Sequence, residues 1–243
     1  MTMEDEAGGS AGPGAIRLLV VEDSATLAEA LLFAFGFEAD IEPIGVAPTI
    51  SRALEMVEAE RPDVVLMDVR LPDGSGLDAA SRVVALRPGT PVIIMTAHAD
   101  HLMALEAAEA GAAGFLLKDV RIAKILAGVR RAAAGAVAVE PAILASVLAQ
   151  VTAGRRSVSP PPGVAGLDLA QSEHAAVRLL ADGLDRSAIA DRLSLDEGVV
   201  AGVIASARSR LGARSNLEAV VRAAAADLLG GPERDPSAPI SNR

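Results

Sequence analysis

The chain has 243 residues, a formal net charge of -10 and a 51% apolar composition, a length and core content that suit two small domains. It contains no cysteine, tryptophan or tyrosine and only four phenylalanines, which excludes disulfides and thiolate metal centres and leaves mostly Ala, Val and Leu to fill a core. The acidic start Met-Thr-Met-Glu-Asp-Glu lacks signal-peptide features, and no run of about 18 apolar residues suggests a membrane span, so a soluble, cytoplasmic protein is expected.

Residues 1–15, rich in Gly, Ala and acid, read as a disordered tail. Ile16 to Val21 reads as a buried-strand candidate, and it ends in the acids Glu22 and Asp23. Ser24 reads as the N-cap of a helix to about Phe35. A weaker strand follows at Ile41 to Val46, then a helix from Thr49 to Ala59 closed by Arg61-Pro62. Val64 to Met67 reads as a strand buried on both faces and stops at Asp68. Pro72, Gly74 and Gly76 punctuate the next loop. Leu77 to Leu86 is helical, Pro91 to Met95 a strand ending at Thr96, and residues from about Asp100 to Ala110 a helix. Gly114 to Leu117 is a fifth strand, ending at Lys118, and Val120 to Ala134 a helix. Five β-α repeats predict a parallel sheet with helices on both faces.

Parallel strands place their carboxyl ends on one edge, where open α/β sheets bind ligands. Glu22, Asp23, Asp68, Thr96 and Lys118 would converge there. Clustered carboxylates with only oxygen donors suit magnesium, and a carboxylate can attack phosphorus to give an acyl phosphate. Lys118 and Thr96 would then stabilise the phosphoryl oxygens.

These residues resemble the receiver domain of two-component response regulators. Asp68-Val-Arg-Leu-Pro-Asp-Gly-Ser-Gly76 is similar to that family's D-x-x-[LM]-P-x-x-x-G, and Gly114-Phe-Leu-Leu-Lys-Asp119 to the form found in the NarL/LuxR subgroup. The resemblance implies a flavodoxin-like (CheY-like), doubly wound, five-stranded parallel sheet over residues 16–135. It implies Asp68 as phosphoacceptor, with Thr96 and Lys118 completing the reactive set. It also implies Thr96 and Phe115 as switch positions. Mg2+ would be held by Glu22, Asp23, Asp68 and the backbone carbonyl of Arg70. Glu22 departs from the commoner Asp.

Residues 136–166 read as a linker: an apolar helix from Pro141 to Val151, then a tether from Gly154 to Gly166 containing Pro160-Pro-Pro162. Residues 167–229 carry no strand signal and read as four helices, at Leu169 to Asp182, Arg186 to Leu193, Glu197 to Leu211 and Ser215 or Asn216 to about Leu229. A short second helix and a turn at Ser194-Leu195-Asp196 suggest a helix-turn-helix. Residues 230–243 read as a second disordered tail. The segments Leu184 to Ala190, Leu193 to Glu197 and Leu211 to Val220 resemble the LuxR-type DNA-binding domain.

That family presents T-V-K-x-H in its recognition helix, where this chain has Val199-Val-Ala-Gly-Val203. Residues 164–229 carry seven Arg against nine acids, a weak electrostatic basis for DNA affinity. The remaining candidates for DNA contact are Arg186, Arg192, Ser206, Arg208, Arg210 and Arg214. The resemblance implies a dimeric transcription regulator, phosphorylated by a sensor histidine kinase and binding promoter DNA. The alternative is that a Val199-Val200-Val203 stripe contacts a protein, in a heterodimer or against the chain's own receiver.

Overall fold

The structure is a computed structural model that describes residues 14–97, 101–153 and 169–229. Residues 1–13 of the expected N-terminal tail, the expected C-terminal tail and the Pro-rich tether lie outside the described residues. The parallel strands are β1 (Ile16–Val21), β2 (Ile41–Ala47), β3 (Val64–Asp68), β6 (Val92–Thr96), β7 (Gly114–Leu117) and β8 (Ala138–Val139). They lie in the order β2-β1-β3-β6-β7-β8. A two-stranded hairpin of β4 (Arg70–Leu71) and β5 (Gly74–Ser75) stands apart from this sheet. The large sheet therefore has six strands where five are expected. The sixth extends it past residue 135, with Ala138 beside Gly114 and Val139 beside Phe115. Two residues are too few to show a periodicity, so β8 leaves no strand signal of its own.

Alternate residues of each central strand bury in opposite directions, as the two-residue period requires. Leu18, Val20, Leu66, Ile93 and Met95 pack with α1 (Ala25–Phe35) and α5 (Ile122–Ala133). Leu19, Val21, Val65, Met67, Ile94 and Phe115 pack with α2 (Ile50–Glu60), α3 (Gly76–Leu86) and α4 (His101–Glu109). The weak signal of β2 has a physical source. It is an edge strand carrying Pro43, and its register against β1 slips between Leu18 and Leu19.

The helix ends follow their caps. Ser24, Thr49 and Ser75 accept bonds from Leu27, Arg52 and Leu77. The α2 N-terminus receives a second cap from elsewhere: Asp73, in the β4–β5 turn, accepts from Ile50 N at 2.8 Å and Ser51 N at 3.0 Å. These bonds hold the Asp73 carboxyl below the usual range.

The helical half comprises α7 (Gln171–Ala181), α8 (Arg186–Leu193), α9 (Glu197–Leu211) and α10 (Asn216–Ala225). The helix expected from Pro141, α6 (Pro141–Thr152), is no free spacer. It packs against both α4 and α10, and Leu144, Val147 and Val151 are buried. One apolar cluster runs from the sheet through α4 and α6 into α7, α9 and α10. The seam is sealed by polar bonds. Ser215 Oγ donates to Ala112 O at 2.8 Å, Asn216 Nδ2 to Gly135 O at 2.6 Å, and Arg214 to Glu109 O. No described helix is long and apolar enough to cross a membrane.

Candidate functional site

The carboxyl ends of β1, β3, β6 and β7 meet as the chain order requires. Glu22 lies just past β1 and is 2% exposed; Asp68 ends β3 at 7% and Thr96 ends β6 at 4%. Asp23 is exposed. Carboxylate oxygens of Glu22, Asp23 and Asp68 lie within 4.8 Å of one another. Three like charges so close repel strongly, and Lys118, just past β7, offsets them. Its Nζ lies 2.6 Å from Glu22 Oε2 and 2.8 Å from Asp68 Oδ2. Burial works against the ammonium, but the hydrogen bonds it donates to Asp68 and Glu22, and their charges, outweigh it and raise the Lys118 pKa above the lysine norm. The other Glu22 oxygen accepts from Ser24 N at 3.3 Å.

The loop after β3 is fixed by close approach. Gly76 N donates to Val69 O at 2.8 Å, and a Cβ at Gly76 would fall 1.9 Å from Asp68 O. Only glycine lets α3 start this near the Asp68 backbone. Arg70 lies in β4, two residues beyond Asp68, with its side chain exposed. Phe115 is fully buried and packs on the face of the sheet covered by α2, α3 and α4.

The second set of candidates does not assemble into an open basic face. Ser206 Oγ donates to Glu173 Oε1 at 2.6 Å, and Arg210 lies 3.6 Å from Glu173 Oε2. The Ser206 bond, chiefly, holds the Glu173 carboxyl below its usual range. Arg214 bonds Glu218 and Glu109 O. Arg186 N reaches Ala134 O at 3.4 Å. Arg192 is exposed on α8. The apolar stripe on α9 divides: Val200 is fully buried in the helical core, Val203 packs against that core, and Val199 is 51% exposed. Consecutive helical positions point about 100° apart, so Val199 and Val200 cannot share a face. The α9 residues that turn toward the sheet domain are Ala201, Ile204, Ala205 and Arg208. They line a cleft of about 890 Å3 between the two halves. Arg61 and Arg87 of the sheet domain also line it, and sequence reading missed both, because nothing local marks residues that meet across a seam.

Comparison with known proteins agrees with this geometry. The family model of the response regulator receiver domain matches residues 18–130. The transcriptional regulatory protein YdfI of Bacillus subtilis is 31% identical over 214 residues, covering 88% of this chain and 97% of that protein. The DNA-binding transcriptional activator DevR/DosR of Mycobacterium tuberculosis is 27% identical over 206 residues, covering 85% of this chain and 93% of that protein. A solved structure of the RcsB response regulator of Salmonella typhimurium, 15% identical, covers 86% of this chain and 97% of its own with a TM-score of 0.52, a likeness of fold. With a receiver sheet, a helical C-terminal domain and relatives matched along nearly their whole length, the chain belongs to the response regulators of two-component signalling, in the NarL/LuxR group of transcriptional regulators.

Proposed function

We propose that Asp68 is the phosphoacceptor of this regulator, that a sensor histidine kinase is the donor, and that phosphorylation controls promoter binding through α8 and α9. The observation that carries this is the joint placement of Asp68, Lys118 and two further carboxylates at one edge of the sheet. A carboxylate oxygen of Asp68 attacks phosphorus in line. The phosphorus–nitrogen bond of the donor phosphohistidine breaks, and its electron pair and a proton end on the imidazole. Lys118, whose Nζ lies 2.8 Å from Asp68 Oδ2, would neutralise charge on the acyl phosphate. The three clustered carboxylates fit Mg2+, a hard cation that takes oxygen ligands, and Asp23, Asp68 and Glu22 would hold it with the Arg70 carbonyl. When bound, the cation supplies charge neutralisation at the transferring phosphoryl group.

Thr96 and Phe115 then read the adduct. Phosphorylation adds close to two negative charges beside Thr96. A shift of Thr96 toward the phosphoryl group and of Phe115 within its buried site would propagate to α4, against which α6 and α10 pack. Loosening that seam frees α9 from the receiver and permits dimerisation on two DNA half-sites. The test is incubation with acetyl phosphate and Mg2+, read by intact mass. Wild type should gain one phosphoryl group and Asp68→Asn none. Undiminished labelling of Asp68→Asn would overturn the assignment.

A further inference from the structure

The cleft between the halves lies at the amino-terminal edge of the sheet, opposite the acidic site. Arg61, Arg87, Arg186, Arg208 and Arg214 line it, and Asp63 is its one carboxylate. Asp63 is already engaged, accepting from Arg17 N at 2.9 Å. Arg214 is matched by Glu218. The other four arginines have no carboxylate partner among the described residues. Arg61 and Arg87 stand on the receiver wall, Arg186 and Arg208 on the wall of the helical half, so like charges face one another across the seam. This concentration runs against a chain charge of -10.

The chain enters the fold at the rim of the same cleft. Gly14 and Ala15 line it, just ahead of β1. Upstream of them stand Glu4-Asp5-Glu6, followed by the spacer Ala7-Gly-Gly-Ser-Ala-Gly-Pro13. Residues 1–13 hold three acids and no Lys or Arg. The two other long stretches outside the described residues are not anionic. Residues 154–168 hold Arg155 and Arg156 against Asp168, and residues 230–243 hold Glu233 and Asp235 against Arg234 and Arg243. The acidic segment alone among them complements the cleft, and it is rooted beside it.

We propose that Glu4-Asp5-Glu6 docks in this cleft and ties the two halves together. Its carboxylates would pair with Arg61 and Arg87 on one wall and with Arg186 on the other, in charge-assisted guanidinium–carboxylate bonds. A Gly- and Ser-rich spacer of seven residues spans about 13–16 Å, enough to carry the acids into a cleft of about 890 Å3. Anchorage at Gly14 holds them there at an effective concentration on the order of millimolar, at which modest charge pairs suffice. Three carboxylates against four guanidiniums offset most of the repulsion across the seam and leave the cleft still cationic. Arg186 and Arg208 are also candidate DNA contacts, so in the function proposed above the docked segment occupies groups that DNA phosphates would claim. Release of the segment and opening of the seam are then linked. The docking itself does not depend on that function, and its test involves no DNA.

The test is a charge cycle on the intact protein at low salt, read by thermal melts. Arg61→Gln with Arg87→Gln should lower the melting temperature of the wild-type chain. In the Glu4→Gln, Asp5→Asn, Glu6→Gln background the same pair should leave it unchanged or raise it, a difference between backgrounds of about 2 °C or more. In about 1 M NaCl, where charges are screened beyond about 3 Å, that difference should vanish. Arg82→Gln, exposed on α3 outside the cleft, should act equally in both backgrounds. Arg87→Gln alone, with a smaller difference expected, serves if the double variant does not fold. The chain has no cysteine, so spin labels on Thr2→Cys and Ala85→Cys, the latter exposed on α3, locate the segment directly. One narrow distance should dominate and be lost when the three acids are neutralised. An equal effect of the arginine pair in both backgrounds, or the same distance distribution with and without the acids, would overturn the proposal. The narrow distance appearing in a mixture of singly labelled chains would overturn docking within one chain.

Discussion

Glu22 is closed off at both oxygens, one by Lys118 and the other by Ser24 N, while Asp23 beside it is exposed. A carboxylate already satisfied by protein donors gains less from a cation than one facing water. Asp23→Ala should therefore lower magnesium affinity more than Glu22→Ala, as measured by cation titration of each variant. Equal or reversed losses would contradict the assignment of Asp23 as the direct ligand. Lys118 makes the complementary case. Its pKa is raised, so the stability it contributes is complete below the ordinary lysine value and is lost only as pH rises through the raised one. Across neutral pH its contribution is constant. Lys118→Met should cost about 2–3 kcal/mol, below the roughly 3–5 kcal/mol of a fully buried broken pair because Lys118 is 18% exposed. Added Mg2+ should restore part of that loss, and restore more than it adds to wild type. A melting temperature unchanged by the substitution would remove Lys118 from the role of charge balance.

At the scale of the element, the β3–α3 connection shows how a sequence motif becomes a position in space. Asp68 ends a fully buried strand, the chain turns through the β4–β5 hairpin, and α3 begins against Asp68's own carbonyl. Gly76→Ala would drive its Cβ into that carbonyl, 1.9 Å away, so the backbone must move. The expected outcome is slower phosphorylation by acetyl phosphate together with a lower melting temperature. A stable variant with wild-type labelling would show that the Asp68 backbone tolerates displacement. The same hairpin carries Asp73, which caps α2. A turn that reads as simple punctuation in the chain thus ties two helices and the reactive strand together.

For the whole molecule, the orientation of α9 is the controlling fact. The positions where LuxR-type relatives carry Lys and His hold Ala201 and Val203 here, and Ala201 faces the arginine-lined cleft. Ala201→Lys with Val203→His should act twice. An added cation among unpaired arginines weakens the closed seam, and on opening it supplies a phosphate contact. DNA affinity of the intact phosphorylated protein should rise, and the dependence on salt should steepen by about one unit of log K per log salt for the added lysine. An unchanged salt dependence would mean that this face of α9 does not enter the groove.

The reactive edge was legible in the sequence because each of its groups follows an apolar run directly, and parallel strands collect their carboxyl ends without further information. Asp68, Lys118, Thr96 and the acidic pair could be assigned to one place from chain order alone. The helix limits at Ser24, Thr49 and Ser215 were nearly as legible, since these residues act on backbone groups a few residues away. The tertiary structure decided what depends on contacts distant in sequence. It recruited Ala138 and Val139 into the sheet, made α6 a packed element between α4 and α10, and split Val199 from Val200. It also brought Arg61 and Arg87 opposite Arg186 and Arg208. Local periodicity records which face of a helix is apolar. It does not record what that face meets, because that is fixed by how two separately patterned halves fit across a seam.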